Sequence, residues 1–175
     1  GNATKCKSAV KDYIEHVVGT TDVKFDGLKI ELDCANGSAS VCAKEIFTSL
    51  GAKCFMLSDT PDGVNINDKC GSTHPEELMK FVKDAGLDLG LAFDGDADRM
   101  LAVDENGELV DGDKVIAVCA SKMKEEGKLK KNTAVVTVMS NMGFFKFCEA
   151  NNINCEKTAV GDRYVLEKML KEGYN

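Results

Sequence analysis

The sequence lacks features that mark several classes of protein. It has no Trp, only two His, and no apolar run approaching the roughly 18 residues of a membrane span. Residues 1–5 lack the apolar core of a secretory signal peptide. The formal net charge is −7, so the basic surface that nucleic-acid binding requires is missing. A small phosphorylated ligand stays possible, because it needs only a local cationic pocket.

Cysteine, in contrast, is abundant. The eight cysteines form no C-x-x-C pair, which disfavours zinc and redox motifs. Cys34, Cys54 and Cys119 lie in apolar periodic segments, and we interpret Cys34 and Cys119 as core residues. Free thiols in a reducing cytosol fit this pattern better than disulfides and indicate a cytoplasmic protein. His16 and His74 are too few and too far apart in sequence to predict a histidine metal site.

Hydrophobic periodicity predicts an α/β fold with the order α-β-α-β-α-β-loop-β-β-α. Three strands separated by helices predict a mainly parallel sheet flanked by helices in three layers, with the last two strands as an antiparallel edge hairpin. The strand over 28–33 alternates apolar and charged residues, which predicts an exposed face or a place near the sheet edge. Thr73 and Glu76 predict a capping box at the start of the third helix.

The β-α rhythm restarts after a short basic segment. Residues 133–175 predict two strands and two helices, which are too few to bury a core alone. We therefore expect a first domain over 1–127, a linker over 128–132 and an incomplete second α/β unit over 133–175. Asn141 follows the first of these strands, where it is interpreted as a helix cap.

The most informative segment joins a buried strand to three carboxylates. The apolar residues 87–93 predict a strand buried on both faces, and Asp94, Asp96, Asp98 and Arg99 follow it. Open α/β sheets bind ligands at such strand ends. Three neighbouring carboxylates repel one another, and a hard divalent cation converts that repulsion into binding. The pattern predicts a Mg²⁺-type site, with a solvated acidic turn as the alternative.

Other motifs of similar composition fit less well. A helix-loop-helix Ca²⁺ site requires Gly at its sixth position, where Arg99 stands, and helices rather than strands on both sides. No G-x-G-x-x-G follows a strand, and no P-loop is present. A phosphatase of the haloacid dehalogenase type would use Asp94 as its nucleophile, but its Asp pair follows an early strand, whereas two predicted strands precede Asp94.

Residues 93–99, together with Val103-Asp104 and 110–113, resemble the metal loop of the α-D-phosphohexomutases. Further matching segments extend over nearly the whole chain and are most similar to the bacterial phosphoglucosamine mutase branch of that superfamily. They lie at 32–37, 65–67, 70–74, 138–141 and 160–164.

This resemblance implies a multidomain enzyme that interconverts glucosamine 6-phosphate and glucosamine 1-phosphate for peptidoglycan precursor synthesis. A phosphoserine donates its phosphoryl group to the sugar, and a bisphosphate intermediate forms. The resemblance further implies that Asp94, Asp96 and Asp98 hold Mg²⁺ and that Arg99 lies beside the transferred phosphate. It assigns a sugar-phosphate contact to Asp162 and Arg163. A phosphomannomutase or phosphoglucomutase is the alternative enzyme, and a non-catalytic metal-binding module is the alternative of another class.

Two family segments are missing from the sequence. One is the serine loop of the Thr-Ala-Ser-His-Asn-Pro type, and the other is the Gly-Glu-x-Ser-Gly sugar loop. The resemblance therefore implies the second domain and the first part of the third domain of a longer enzyme. We expect this chain to be inactive alone. Its expected partners are a phosphosugar substrate and the missing domains, and neither nucleic acid nor a membrane is expected.

Overall fold

The computed structural model describes every residue of the chain, Gly1–Asn175. The chain divides into two compact units, Gly1–Val110 and Asp111–Asn175. None of its helices combines the length and the apolar character that crossing a membrane would require.

The first unit is a five-stranded sheet with helices on both faces. Its strand order is β2-β1-β3-β4-β5, in which β1 is parallel to both β2 and β3, while β4 and β5 are antiparallel. This confirms the predicted mainly parallel sheet with an antiparallel edge hairpin. The elements are α1 (Ala9–Val18), β1 (Lys29–Asp33), α2 (Ala43–Ser49), β2 (Lys53–Leu57), α3 (Glu76–Ala85), β3 (Leu89–Phe93), β4 (Met100–Asp104) and β5 (Leu109–Val110).

Two apolar clusters, one on each face of the sheet, produce the three layers. On one face, Ile30 and Leu32 of β1 pack with Ala43 of α2. On the other, Leu78 and Val82 of α3 pack against the sheet. These side chains are almost completely buried, and burial of apolar area is the main stabilising contribution in such layers.

Strand β1 lies next to the edge strand β2, and the predicted exposed face is wrong. Glu31 and Asp33 are only 1% and 2% exposed. Glu31 is aligned with Phe55 of β2 and Gly90 of β3, and helix α3 covers this region of the sheet. Charged residues at alternate positions ordinarily mark a solvated face, so the pattern could not show that these two carboxyl groups are buried.

The start of α3 also differs from the prediction. The helix begins at Glu76 after Pro75, and no side chain caps it. Thr73 belongs instead to a short 3₁₀ helix, Gly71–Thr73, and His74 follows that turn. The predicted capping box is therefore wrong, because a separate turn separates Thr73 from the helix.

The second unit contains a parallel pair of strands and three helices. Its elements are α4 (Gly112–Glu125), β6 (Thr133–Thr137), α5 (Met142–Ala150), β7 (Asn154–Thr158) and α6 (Asp162–Glu172). Asn141 caps α5 as expected, since its side-chain oxygen accepts from the N–H of Phe144 at 3.0 Å.

Helix α4 belongs to this second unit, which differs from the expected boundary after residue 127. Ala120 of α4 packs with Phe144 and Cys148 of α5. The expected linker over 128–132 consequently lies within the unit, where Lys130–Asn132 forms a short 3₁₀ helix that leads into β6. Periodicity identified the helix but could not indicate which sheet its apolar face would join.

All eight cysteines are free thiols in the structure. Cys34 is buried beneath the first sheet, as predicted. Cys119 is exposed, so its assignment to the core is wrong. It lies on α4 one position before the buried Ala120, and only one side of this helix faces the core.

Candidate metal centre

Three aspartates converge where β3 turns back into β4. One carboxylate oxygen from each of Asp94, Asp96 and Asp98 lies within 4.8 Å of the others. Asp94 is half-buried, whereas Asp96 and Asp98 are exposed. The structure thus brings together the side chains that the sequence predicted as metal ligands. We call residues 94–99 the acidic loop.

Two hydrogen bonds accepted by Asp94 fix the tight turn of the acidic loop. Asp94 Oδ1 accepts from the N–H of Arg99 at 3.1 Å, and Asp94 O accepts from the N–H of Ala97 at 3.0 Å. Ala97 adopts a left-handed backbone with a φ of 58°, which is unfavourable for a residue with a Cβ. The turn brings Phe93 and Met100 back into register across the antiparallel pair β3–β4.

Charge repulsion dominates the electrostatics of the acidic loop. The negative charge of Asp96 is the largest cause of a raised pKa at Asp98, and partial burial and Asp94 add to it. Arg99 acts in the opposite direction, with its Nε 3.9 Å from Asp98 Oδ1. Because both side chains are exposed, this ion pair is weak. Three carboxylates with unbalanced charge form a donor set that fits a hard divalent cation.

The turn that follows β1 contacts the acidic loop on one side. A Cβ on Gly37 would lie 2.2 Å from Gly95 O, so only glycine allows this approach of the two backbones. The N–H of Ser38 donates to the same oxygen at 2.9 Å. Ala35 and Asn36 precede this contact with left-handed φ values of 52° and 48°.

The irregular segment 58–70 contacts the acidic loop on the other side. A Cβ on Gly95 would lie 2.7 Å from atoms of both Ile66 and Asn67. The N–H of Asn67 donates to Ala35 O at 2.9 Å, which joins this segment to the turn after β1. Asn36 strengthens the connection, because its side-chain oxygen accepts from the N–H of Thr60 at 3.2 Å. The backbone of the acidic loop is therefore held between two other loops.

Comparison with known proteins shows the family. A family model described as phosphoglucomutase/phosphomannomutase, alpha/beta/alpha domain II, matches residues 11–107, and the corresponding domain III model matches residues 111–175. The chain belongs to the phosphoglucomutase/phosphomannomutase family. The domain III match begins at Asp111, which is also the first residue of the second structural unit.

Curated relatives in this family are similar over almost the whole chain. Phosphoglucosamine mutase of Clostridium novyi is 56% identical over 174 residues, which cover 99% of this chain and 39% of the relative. The corresponding protein of Brevibacillus brevis is 55% identical over 163 residues, covering 93% of this chain and 36% of the relative. The chain thus spans less than two fifths of the length of these relatives.

Solved structures show the same fold. A phosphoglucomutase/phosphomannomutase family protein from Burkholderia thailandensis superposes with a TM-score of 0.79 at 25% identity, covering 95% of this chain and 36% of that one. A putative phosphomannomutase from Thermus thermophilus has a TM-score of 0.75 at 19% identity, over 98% of this chain and 40% of that one. The predicted three-layer α/β fold followed by a second α/β unit is therefore confirmed.

The remaining residues predicted from the family resemblance lie on exposed surfaces. The side chain of Arg99 is 82% exposed beside the acidic loop. Asp162 and Arg163 begin α6 in the second unit after Gly161, which has a φ of 134°. The Nε of Arg163 lies 3.4 Å from a carboxylate oxygen of Glu167, one helical turn further on. The side chains of Arg99, Asp162 and Arg163 are thus accessible from solvent.

Sequence reasoning found the three carboxylates but missed the groups that hold their loop. Gly37, Gly95 and the buried Asp33 were not assigned a role. A usable signal was present for Asp33, because a carboxylate at the end of a predicted strand can accept the backbone N–H two residues further on, here that of Ala35. No comparable signal identifies the contact between Gly37 and Gly95, which are distant in sequence.

Proposed function

We propose that the protein containing this chain is a phosphoglucosamine mutase that interconverts glucosamine 6-phosphate and glucosamine 1-phosphate. The observation that carries the proposal is the 56% identity to phosphoglucosamine mutase of Clostridium novyi over 174 residues. The similarity extends over 99% of this chain, so it includes the residues of both units. The chain supplies the metal loop of the enzyme, and the phosphoserine and most of the sugar site belong to other parts of it.

In this proposal, Asp94, Asp96 and Asp98 hold a Mg²⁺ ion. The donor set supports this assignment, because Mg²⁺ prefers carboxylate oxygens and repulsion among the three groups is relieved by a cation. Bound Mg²⁺ neutralises negative charge on a phosphoryl group during its transfer. The protein contributes the turn that carries the three carboxylates, which two hydrogen bonds accepted by Asp94 close.

Arg99 is proposed to contact the transferred phosphate. An exposed guanidinium beside three carboxylates can form a bidentate pair with a phosphate. Asp162 and Arg163 are proposed to contact the sugar phosphate from the second unit, where the start of α6 leaves both accessible. All three side chains are already exposed, so each can reach a phosphate in solution.

Turnover by the full-length protein tests the proposal. Its kcat/KM should be highest with glucosamine 6-phosphate when glucosamine, glucose and mannose 6-phosphates are compared in the presence of Mg²⁺. A preference for mannose or glucose 6-phosphate would identify a phosphomannomutase or phosphoglucomutase instead. Absence of turnover with all three sugars, together with retained Mg²⁺ binding, would indicate a non-catalytic metal-binding module. The chain described here should show no turnover alone, since it contains no serine loop of the family type.

A further inference from the structure

Asp33 is a buried carboxylate at the end of strand β1, which lies between β2 and β3. It is 2% exposed, and backbone N–H groups approach both of its oxygens. Oδ1 accepts from the N–H of Ala35 at 2.9 Å, and Oδ2 accepts from the N–H of Gly71 at 2.7 Å. Hydrogen bonds to an ionised acceptor are short and strong, so this carboxylate holds two separate segments at once.

Each of these segments continues to the acidic loop. From Ala35 the chain passes through Gly37, which contacts Gly95 directly. Gly71 has a φ of +73°, and a Cβ there would lie 2.4 Å from the carbonyl oxygen of Phe93, the residue immediately before Asp94. The buried carboxylate thus connects β1 to the acidic loop by two routes.

The acidic loop depends on such external support. Its internal hydrogen bonds fix the turn, but its position relative to the sheet is set by contacts with neighbouring backbone. The main one is the hydrogen bond from the N–H of Ser38 to Gly95 O. Before a cation binds, repulsion among three carboxylates favours opening of the loop. Holding ligands in place in advance reduces the cost of ordering them when the metal binds.

We propose that Asp33 is a positioning residue, which holds the acidic loop in its metal-binding geometry without touching the metal. This inference rests on the proposed function, because it takes Asp94, Asp96 and Asp98 to be the cation site. It adds that a buried side chain outside the acidic loop determines how strongly that site binds Mg²⁺. Partners beyond the ligands of a metal site typically change affinity by about 10- to 100-fold when they are replaced.

The test compares Asp33→Asn with two control variants in the chain described here. Asparagine has the size of aspartate but only one acceptor oxygen, so its NH₂ group must face one of the two N–H donors. Asp88→Asn is the matched control, because Asp88 Oδ2 accepts from the N–H of Lys29 at 2.8 Å at the opposite end of β1. Val82→Ala is the stability control, since it removes buried apolar volume on α3.

Two readouts are combined. Calorimetric titration with Mg²⁺ should show affinity at least about tenfold weaker in Asp33→Asn and unchanged in both controls. Amide hydrogen exchange without metal should show faster exchange of the Ser38 N–H in Asp33→Asn only, since that group bonds to Gly95 O. Equal Mg²⁺ affinity in Asp33→Asn and the unsubstituted chain would overturn the proposal. So would an equal loss of affinity in all three variants.

The two readouts also separate this inference from the proposed function. If the unsubstituted chain binds no Mg²⁺, the assignment of the cation site fails. Hydrogen exchange then still decides the role of Asp33, because it reports on the loop without metal. Unchanged protection of the Ser38 amide in Asp33→Asn would show that the carboxylate does not position the acidic loop.

Discussion

Gly37 and Gly95 are in direct backbone contact, since a Cβ on Gly37 would lie 2.2 Å from Gly95 O. Gly37 has a φ of −113°, so the obstacle to a larger residue is steric rather than conformational. Because Gly95 lies between Asp94 and Asp96, a shift at this contact moves the carboxylates that are proposed to hold Mg²⁺. The position of the turn after β1 therefore affects the position of the carboxylates in the acidic loop.

Gly37→Ala should consequently weaken both folding and metal binding. We expect a decrease of about 1–3 kcal/mol in the free energy of unfolding, because a new methyl group has no space, and a lower Mg²⁺ affinity. Urea denaturation and calorimetric titration measure the two effects. Gly112→Ala is the control, since a Cβ there meets nothing within 4 Å. Normal Mg²⁺ affinity in Gly37→Ala would contradict the expected coupling.

Asp96→Asn should weaken Mg²⁺ binding and leave the fold intact. Asp96 is exposed, and the turn of the acidic loop is fixed through Asp94 and backbone groups. The expected result is a large loss of affinity in calorimetry with an unchanged circular dichroism spectrum and thermal midpoint. Asp84→Asn, on the exposed side of α3, is the matched control and should bind as the unsubstituted chain does. Unchanged Mg²⁺ binding in Asp96→Asn would show that the metal assignment is wrong.

Glu31 should make folding stability depend on pH near neutrality. Burial raises the pKa of its carboxyl group from 4.5 to about 7, and the charge of Asp33 adds to the increase. Its Oε2 has no hydrogen-bond partner, so the ionised form is poorly stabilised. A folded pKa above the unfolded one means that the contribution of this group is fully present below about pH 4.5 and is lost as pH rises through 7.

The expected loss is at most roughly 3 kcal/mol across this range. Urea denaturation at a series of pH values should show a flatter pH dependence for Glu31→Gln, whose amide does not titrate. Glu45→Gln is the control, because Glu45 is exposed on α2. If Glu31→Gln has the same pH dependence as the unsubstituted chain, Glu31 does not titrate in the range stated.

Asn141→Ala should destabilise the second unit by about 1 kcal/mol, since the N–H of Phe144 loses its side-chain acceptor at the start of α5. Asn141→Asp keeps an acceptor at the same position and should retain most of the stability. Chemical denaturation monitored by hydrogen exchange in α5 measures the difference. Equal destabilisation by both substitutions would contradict a capping role.

The cysteines should differ sharply in reactivity. Iodoacetamide at about pH 8 should modify the exposed Cys6 and Cys119 first. A hydrogen bond to Ser8 lowers the pKa of the Cys6 thiol, whereas burial raises that of Cys34 to about 12. Peptide mass spectrometry at successive times gives the order of modification. Modification of Cys34 as fast as Cys119 would be inconsistent with the packing of the first sheet.

The sequence predicted the elements well where local patterns determine them. The apolar run before Asp94 predicted a buried strand, and Gly90, Leu91 and Ala92 are buried. The spacing of the three carboxylates predicted their convergence, because the turn that brings them together is itself local. The position of Asn141 before an apolar helix likewise predicted its capping role.

Features that depend on contacts between distant segments could not be predicted. Glu31 and Asp33 follow the alternation of an exposed strand, and their burial results from α3 crossing that part of the sheet. Helix α4 follows the first sheet closely in sequence, yet its apolar side packs in the second unit. Charge patterns and periodicity report which side of an element is apolar, not which neighbour it will meet.

The acidic loop is held through backbone atoms and glycine contacts, whereas its charge is carried by three carboxylates, two of them exposed. Shape and charge are thus encoded by different positions. Loss of Asp96 or Asp98, both exposed, should therefore leave the fold of the loop intact. A relative that lacks either carboxylate would keep the fold of the loop, and only these two surface positions would distinguish it.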